Sequence, residues 1–178
     1  YRGSRELLPT LVKEQRIPIL LQAYLDTRIS ELKRRKRDDF DLESGVMFIT
    51  HKPEESRGVK NRHSVRETPI PSRLREELKD WSWKWPSNET VNKRTKSINP
   101  ELTTHSFRHV LIRIKRDLGG EPMVIEAFTG HKIGRTQRSE MSETYCDGFS
   151  PESKVPAIKP IWEQLDSWIF EKGKAPVN

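Results

Sequence analysis

His105-Ser-Phe-Arg-His-Val-Leu-Ile-Arg-Ile-Lys-Arg-Asp-Leu118 is the best-patterned stretch of this chain. Phe107, Leu111, Ile114 and Leu118 recur at i, i+4, i+7 and i+11, which predicts a helix with one continuous apolar face. Thr103 or Thr104 is placed to cap its start, and Gly119-Gly120 to stop it. His105 and Arg108, three apart, share a neighbouring face near the N-terminus, where the partial positive charge of a helix end favours an anion.

Upstream, Asn99-Pro100 breaks the chain after a short polar helix expected over residues 88–98. Before it, Ser72 is expected to cap a helix through Leu74, Leu78 and Trp81, ended by the run holding Trp81, Trp83, Trp85 and Pro86. Those tryptophans read as packing rather than base stacking. Residues 45–50 and 64–70 read as two strands of a hairpin whose connection carries Lys52, Arg57, Lys60 and Arg62. Residues 16–37 form one helix or a broken pair that fades into Lys33, Arg34, Arg35, Lys36 and Arg37. That basic run serves equally as a solvated helix end or as a phosphate contact.

Downstream, residues 123–128 suggest a short helix, 132–144 a polar loop, and 159–171 an amphipathic closing helix with Ile161, Trp162, Leu165, Trp168 and Ile169. There is no internal repeat. The expected fold class is mainly α with a small antiparallel β-sheet (α+β).

The 178 residues amount to about one domain, and 33% of them are hydrophobic, enough for a real core. Lys and Arg number 33 against 26 Asp and Glu, a net charge of +7, and the pI is near 9.6. That balance favours a polyanionic partner over an acidic lipid surface. The single cysteine, Cys146, excludes an internal disulfide and leaves too few thiolates for a structural zinc site. A reducing cytoplasm is the expected setting. No run approaches the roughly 18 apolar residues of a spanning helix, so no membrane is expected. With neither an initiator Met nor a signal-like start, the chain is expected to begin mid-protein, as an excised domain would.

Three clusters carry the chemistry: Arg28 with Glu31, His105 with Arg108, and Gly130-His131 followed by Tyr145. Two arginines and two histidines supply donors that can grip one phosphate, and a tyrosine hydroxyl can attack it. Tyrosines occur at 1, 24 and 145; Tyr1 is terminal and Tyr24 lies in an apolar stretch, which leaves Tyr145. A phenol with a pKa of about 10 is ionised to about one part in a thousand at neutral pH, a shortfall of roughly 4 kcal/mol. Each well-placed donor to a developing charge contributes roughly 3–4 kcal/mol, so neighbouring cations can make it good. A metal is disfavoured: His105 and His109 are an i,i+4 pair, but no Glu follows the first His and Arg108 would repel a cation.

Over roughly residues 15–150 the chain resembles the catalytic domain of the tyrosine recombinase, or phage integrase, family. The family pattern is an Arg with a following Glu, a hairpin Lys, His-x-x-Arg, Gly-His and then Tyr. It is met in order by Arg28 and Glu31, Lys52, His105 and Arg108, Gly130 and His131, and Tyr145. The resemblance implies that Arg28 and Arg108 clamp the phosphate, that His105 either bonds a phosphate oxygen or helps move the tyrosine's proton, and that His131 donates to the phosphate or the leaving group. It further implies that Lys52 protonates the 5′ leaving oxygen, with Lys60 in the same hairpin as the rival, and that Tyr145 is the nucleophile. Glu31 would hold Arg28 in place, and Lys33, Arg34, Arg35, Lys60 and Arg62 would contact DNA. Two departures are visible: Leu25-Asp-Thr27 stands where relatives commonly have Thr-Gly-Leu, and the path from His131 to Tyr145 is several residues longer than in compact relatives.

The implied activity is site-specific cutting and rejoining of double-stranded DNA through a 3′-phosphotyrosyl link, with no metal, ATP or other cofactor. Implied too are a homotetramer on two DNA sites, host or directionality factors, and a nucleoid-associated location. Residues 1–178 would be a single catalytic domain lacking the N-terminal core-binding domain. Its segment 151–178 would either pack in cis or be exchanged between protomers. The rival readings are a type IB topoisomerase-like enzyme and an inactive DNA-binding protein on the same fold.

Overall fold

The computed structural model describes residues 11–55, 65–98, 100–103, 106, 109, 113–114, 117–119, 122–130 and 149–170. At its centre is helix α1 (Lys13–Leu25), in which every residue from Ile17 to Leu25 is buried. A helix apolar nearly all round belongs inside, and α1 accordingly sits among the other elements rather than over them. It ends at Asp26, which takes the left-handed conformation (φ 48°, ψ 32°). A single helical turn, α2 (Ile29–Leu32), follows. The stretch read as one helix or a broken pair is therefore the broken pair.

Three antiparallel strands, β1 (Phe40–Asp41), β2 (Val46–Ile49) and β3 (Arg66–Pro69), lie side by side in chain order. Met47 faces Phe40 on one side and Thr68 on the other, and Ile49 faces Arg66. The two-residue β1 was not expected, because two positions are too few to show alternation. Gly45 closes the β1–β2 turn at φ 74°, and a Cβ there would meet the Arg75 side chain at 3.2 Å. Since Ile70 donates its N–H to Gly45 O (2.7 Å), ladder alternation turns Glu67 and Pro69 outward on β3. Proline has no donor to lose at that edge.

Helix α3 (Ser72–Lys79) buries Leu74 and Leu78, and its N-cap is Pro71. Ser72, expected as the cap, is instead the first helical residue and accepts from Arg75 Nη2 (3.1 Å). The tryptophans pack as expected: Trp81 is buried, its ring lies 4.7 Å from Trp85 and 4.8 Å from Trp83, and Trp83 lies 4.9 Å from Phe40. Helix α4 (Asn88–Ile98) has the expected bounds.

Ser106, His109, Arg113, Ile114, Asp117 and Leu118 are all helical, in keeping with the opening pattern. Thr103 and Ser106 cap that helix reciprocally, Ser106 N to Thr103 O (3.0 Å) and Thr103 N to Ser106 Oγ (3.1 Å). Ile114 is buried, whereas Leu118 is 47% exposed, which corrects the expected four-residue apolar face. Periodicity fixes a direction around a helix but not whether a partner reaches its final turn, and Gly119 (φ 65°) follows at once.

Helices α5 (Pro122–Thr129) and α6 (Pro151–Ile169) complete the core. Helix α6 begins eight residues before the expected 159, with Ser150 Oγ accepting from Ser153 N (3.3 Å) and Pro151 at the first helical position. Pro156 and Pro160, each of which costs the helix a backbone hydrogen bond, are accommodated because the face bearing Ile158, Ile161, Trp162 and Leu165 is buried against the core. The helix docks on α1, α5 and β3 of its own chain. Trp162 Nε1 donates to Tyr24 O (3.0 Å). Among the described residues no helix is long and apolar enough to cross a membrane.

Candidate active site

Arg28 stands in extended conformation (φ −72°, ψ 141°) at the N-cap of α2. Two residues earlier Asp26 holds the left-handed turn at the position where relatives commonly carry Gly. Asp is one of the few side chains that visits that region without large strain, so the local geometry survives the departure. Thr27 Oγ1, donating to Leu21 O (3.3 Å), fastens the turn to the end of α1.

Glu31, 4% exposed, grips Arg28 twice. Its Oε1 accepts from Arg28 Nη1 (2.7 Å) and its Oε2 from Arg28 N (3.1 Å). The second contact is half of a capping box, so a helix signal and an ion pair share one carboxylate. Burial alone would raise the Glu31 carboxyl, but the charge of Arg66 and the hydrogen bonds from Arg28 outweigh it and hold the group below its usual range. The Arg28 side chain is 30% exposed. Among the described residues only its Nη1 is engaged, which leaves Nε and Nη2 of the fork for an incoming anion.

Arg66 and Lys154 carry signals that periodicity misses. Arg66 Nη2 lies 3.8 Å from Glu31 Oε2, and its Nε donates to Phe128 O (2.9 Å). Lys154 Nζ donates to Glu67 O (2.7 Å) on the outer edge of β3. Burial first, and then the charge of Arg66, push its amine down to about 8.

Arg35, expected to contact DNA, faces inward instead. Its side chain is fully buried, with Nε donating to Glu31 O (3.3 Å) and Nη1 to the backbone and hydroxyl oxygens of Thr50 (3.3 Å each). Trp85 Nε1 in turn donates to Arg35 O (3.1 Å). A guanidinium with acids four residues away on both sides, Glu31 and Asp39, can be satisfied internally, and Asp39 Oδ1 lies 3.9 Å from it.

The other cations of the run do reach solvent. Lys33 is half-buried, and Arg34, Lys36 and Arg37 are exposed. They line a groove of about 530 Å³ floored by Trp83 and Trp85. Arg37 lies over the Trp83 ring, 5.4 Å from its centroid. Glu55 sits on the groove's rim, 3.6 Å from Lys36 Nζ and 3.7 Å from Lys52 Nζ. Lys52, just past β2, has a side chain 44% exposed.

His105, Arg108, His131, Tyr145, Lys60 and Arg62 lie outside the described residues. Their described neighbours are the helical Ser106 and an exposed His109, and Gly130, at φ 66°, which ends α5. Tyr24, 1% exposed, hydrogen-bonds Asp166, and burial followed by that bond pushes its phenol far above the ordinary value. Among the described residues no cluster of His, Cys, Asp and Glu could hold a metal ion.

The sequence matches no known family model and no curated protein. Among solved structures it is similar to the integrase of transposon Tn1549, determined in complex with transposon right-end DNA, at a TM-score of 0.54 and 15% identity. The likeness covers 90% of this chain and spans 63% of the length of that one. The fold, a mostly helical body with a small three-stranded antiparallel sheet, is thus one it shares with that integrase.

Proposed function

We propose that this chain is the catalytic domain of a site-specific tyrosine recombinase. It would cut and rejoin double-stranded DNA through a 3′-phosphotyrosyl intermediate. The observation that carries the reading is Arg28. A buried carboxylate fixes one guanidinium nitrogen while the side chain remains 30% exposed, a few residues before the cations that line a basic groove. The integrase fold and the net charge of +7 support the same reading.

The Tyr145 hydroxyl attacks phosphorus and gives its proton to a base, for which His105 is the candidate. Arg28 and Arg108 neutralise the extra charge on the non-bridging oxygens of the pentacoordinate state. The bond to the 5′ oxygen breaks, and Lys52 protonates that oxygen as it leaves. One phosphoester bond is exchanged for another, so a 5′ hydroxyl from a second strand can reverse the step. Tyr24 is a poor rival nucleophile, because its hydroxyl is buried and committed to Asp166. Assembly as a tetramer on two DNA sites, with Lys33 and Arg34 on the DNA backbone, belongs to this proposal.

The test uses the full-length protein and end-labelled nicked DNA from the sequences flanking its locus, with EDTA present. A covalent protein–DNA band on a denaturing gel, absent for Tyr145→Phe, is expected. DNA binding without that band would overturn the enzyme reading in favour of a binding protein on this fold.

A further inference from the structure

One buried guanidinium connects the two halves of the proposed site. Arg66 sits on β3, the strand that follows the hairpin carrying Lys52 and Lys60, and its side chain is 4% exposed. Toward one side its Nη2 faces Glu31 Oε2 at 3.8 Å, and Glu31 in turn holds Arg28 by both side chain and backbone. Toward the other side its Nε donates to Phe128 O at 2.9 Å. Phe128 lies in the last turn of α5, two residues before Gly130, whose left-handed turn starts the Gly-His pair. Glu31 and Phe128 lie on separate helices, and one guanidinium faces both.

We propose that Arg66 is a positioning residue that sets the Arg28–Glu31 pair in fixed relation to the last turn of α5, which ends at Gly130. The proposal rests on the recombinase reading above. Its physical content is the geometry of guanidinium. A guanidinium whose Nε–H is locked on the Phe128 carbonyl holds its Nη2 edge, and with it the positive charge, at a fixed distance from Glu31 Oε2, whereas a lysine ammonium on a flexible stem reaches one partner or wanders between them. The carbonyl of Phe128 is neutral and the carboxylate of Glu31 is charged, so one contact fixes direction and the other supplies the counter-charge for a buried cation. Lys154, the neighbouring cation, donates to Glu67 O and cannot replace either contact.

The experiment compares wild type, Arg66→Lys, Arg66→Gln, Glu31→Gln and the Glu31→Gln/Arg66→Gln double variant in the full-length protein. It measures single-turnover covalent complex formation on nicked DNA and non-covalent DNA affinity, with folding checked by circular dichroism. Misplacing a catalytic group by about 1 Å lowers a rate about 100-fold, so Arg66→Lys and Arg66→Gln are each expected to lose roughly that factor. Their DNA affinity should stay within about threefold, and the double variant should be no more than about threefold slower than Glu31→Gln alone.

Full cleavage by a folded Arg66→Lys, or losses that multiply in the double variant, would overturn the proposal. If Arg66→Gln does not fold, Arg66→Lys carries the comparison. Absence of a covalent band in wild type itself would instead sink the recombinase reading, and a second readout then decides for Arg66. With ¹³C-labelled glutamate, the Glu31 carboxyl should titrate at higher pH in Arg66→Lys than in wild type. An unchanged Glu31 titration would show that Arg66 does not position the pair.

Discussion

Tyr24 and Asp166, 142 positions apart, share a hydrogen bond that ties the central helix α1 to the closing helix α6. One turn back on α6, Trp162 donates to the Tyr24 carbonyl, so both ends of the same tyrosine are engaged. Tyr24→Phe removes the hydrogen bond between a buried hydroxyl and a half-buried carboxylate and should lower stability by about 1–3 kcal/mol. Urea denaturation should show a lower midpoint with an unchanged slope. Covalent cleavage by the folded fraction should be retained; its loss would move the nucleophile away from Tyr145.

Lys154 makes stability rise with pH in a defined window. Its folded pKa of about 8 lies below the ordinary 10.5. Between those values the unfolded chain carries the extra proton, so raising pH favours the folded state. Below about 8 both states are protonated and the contribution is flat. The gain across the window is at most about 3 kcal/mol. Urea titrations from pH 7 to 11 should give a rising difference between wild type and Lys154→Met; a flat difference would refute the assignment.

Arg28→Lys keeps the charge and loses the fork. An ammonium that takes the Glu31 contact has no second planar edge for phosphate, so cleavage should fall about 100-fold or more. DNA affinity should change far less, since the substitution keeps the positive charge of one half-buried cation among 33 basic residues. Quench-flow formation of the covalent complex, set beside a filter-binding curve, checks both parts.

Asp26 separates backbone demand from side-chain chemistry. Gly and Val both delete the carboxylate, but a β-branched residue in the left-handed region is strained and Gly is not. Asp26→Val should therefore melt below Asp26→Gly, by the equivalent of about 1–2 kcal/mol. Equal melting temperatures would mean that the φ of 48° carries no constraint.

Elements with a strong local pattern were legible before any coordinates. The Asn88–Ile98 helix and both hairpin strands came from period and punctuation alone, and the Arg28–Glu31 pair from its i,i+3 spacing. What escaped depends on partners distant in sequence. Helix α6 runs through Pro156 and Pro160 because tertiary burial compensates for the lost hydrogen bonds, and no local rule announces that. Arg35 looked like its four basic neighbours, yet it alone has an acid four residues away on each side, a signal that was present and unused. Arg66 and Lys154 could not be read at all, since what matters about them is a carbonyl 62 positions away for one and 87 for the other.

The outer rim of β3 has a consequence for how copies of this chain could associate. Glu67 already spends its outward carbonyl on Lys154, and Pro69 presents no amide hydrogen. At the opposite rim β1 is two residues long. Among the described residues a visiting strand would thus find too few free backbone groups on either margin to zip onto the sheet. A copy of this chain that docked on the described sheet would do so through side chains and helix surfaces, contacts that can form and release, and not through a continuous inter-molecular sheet.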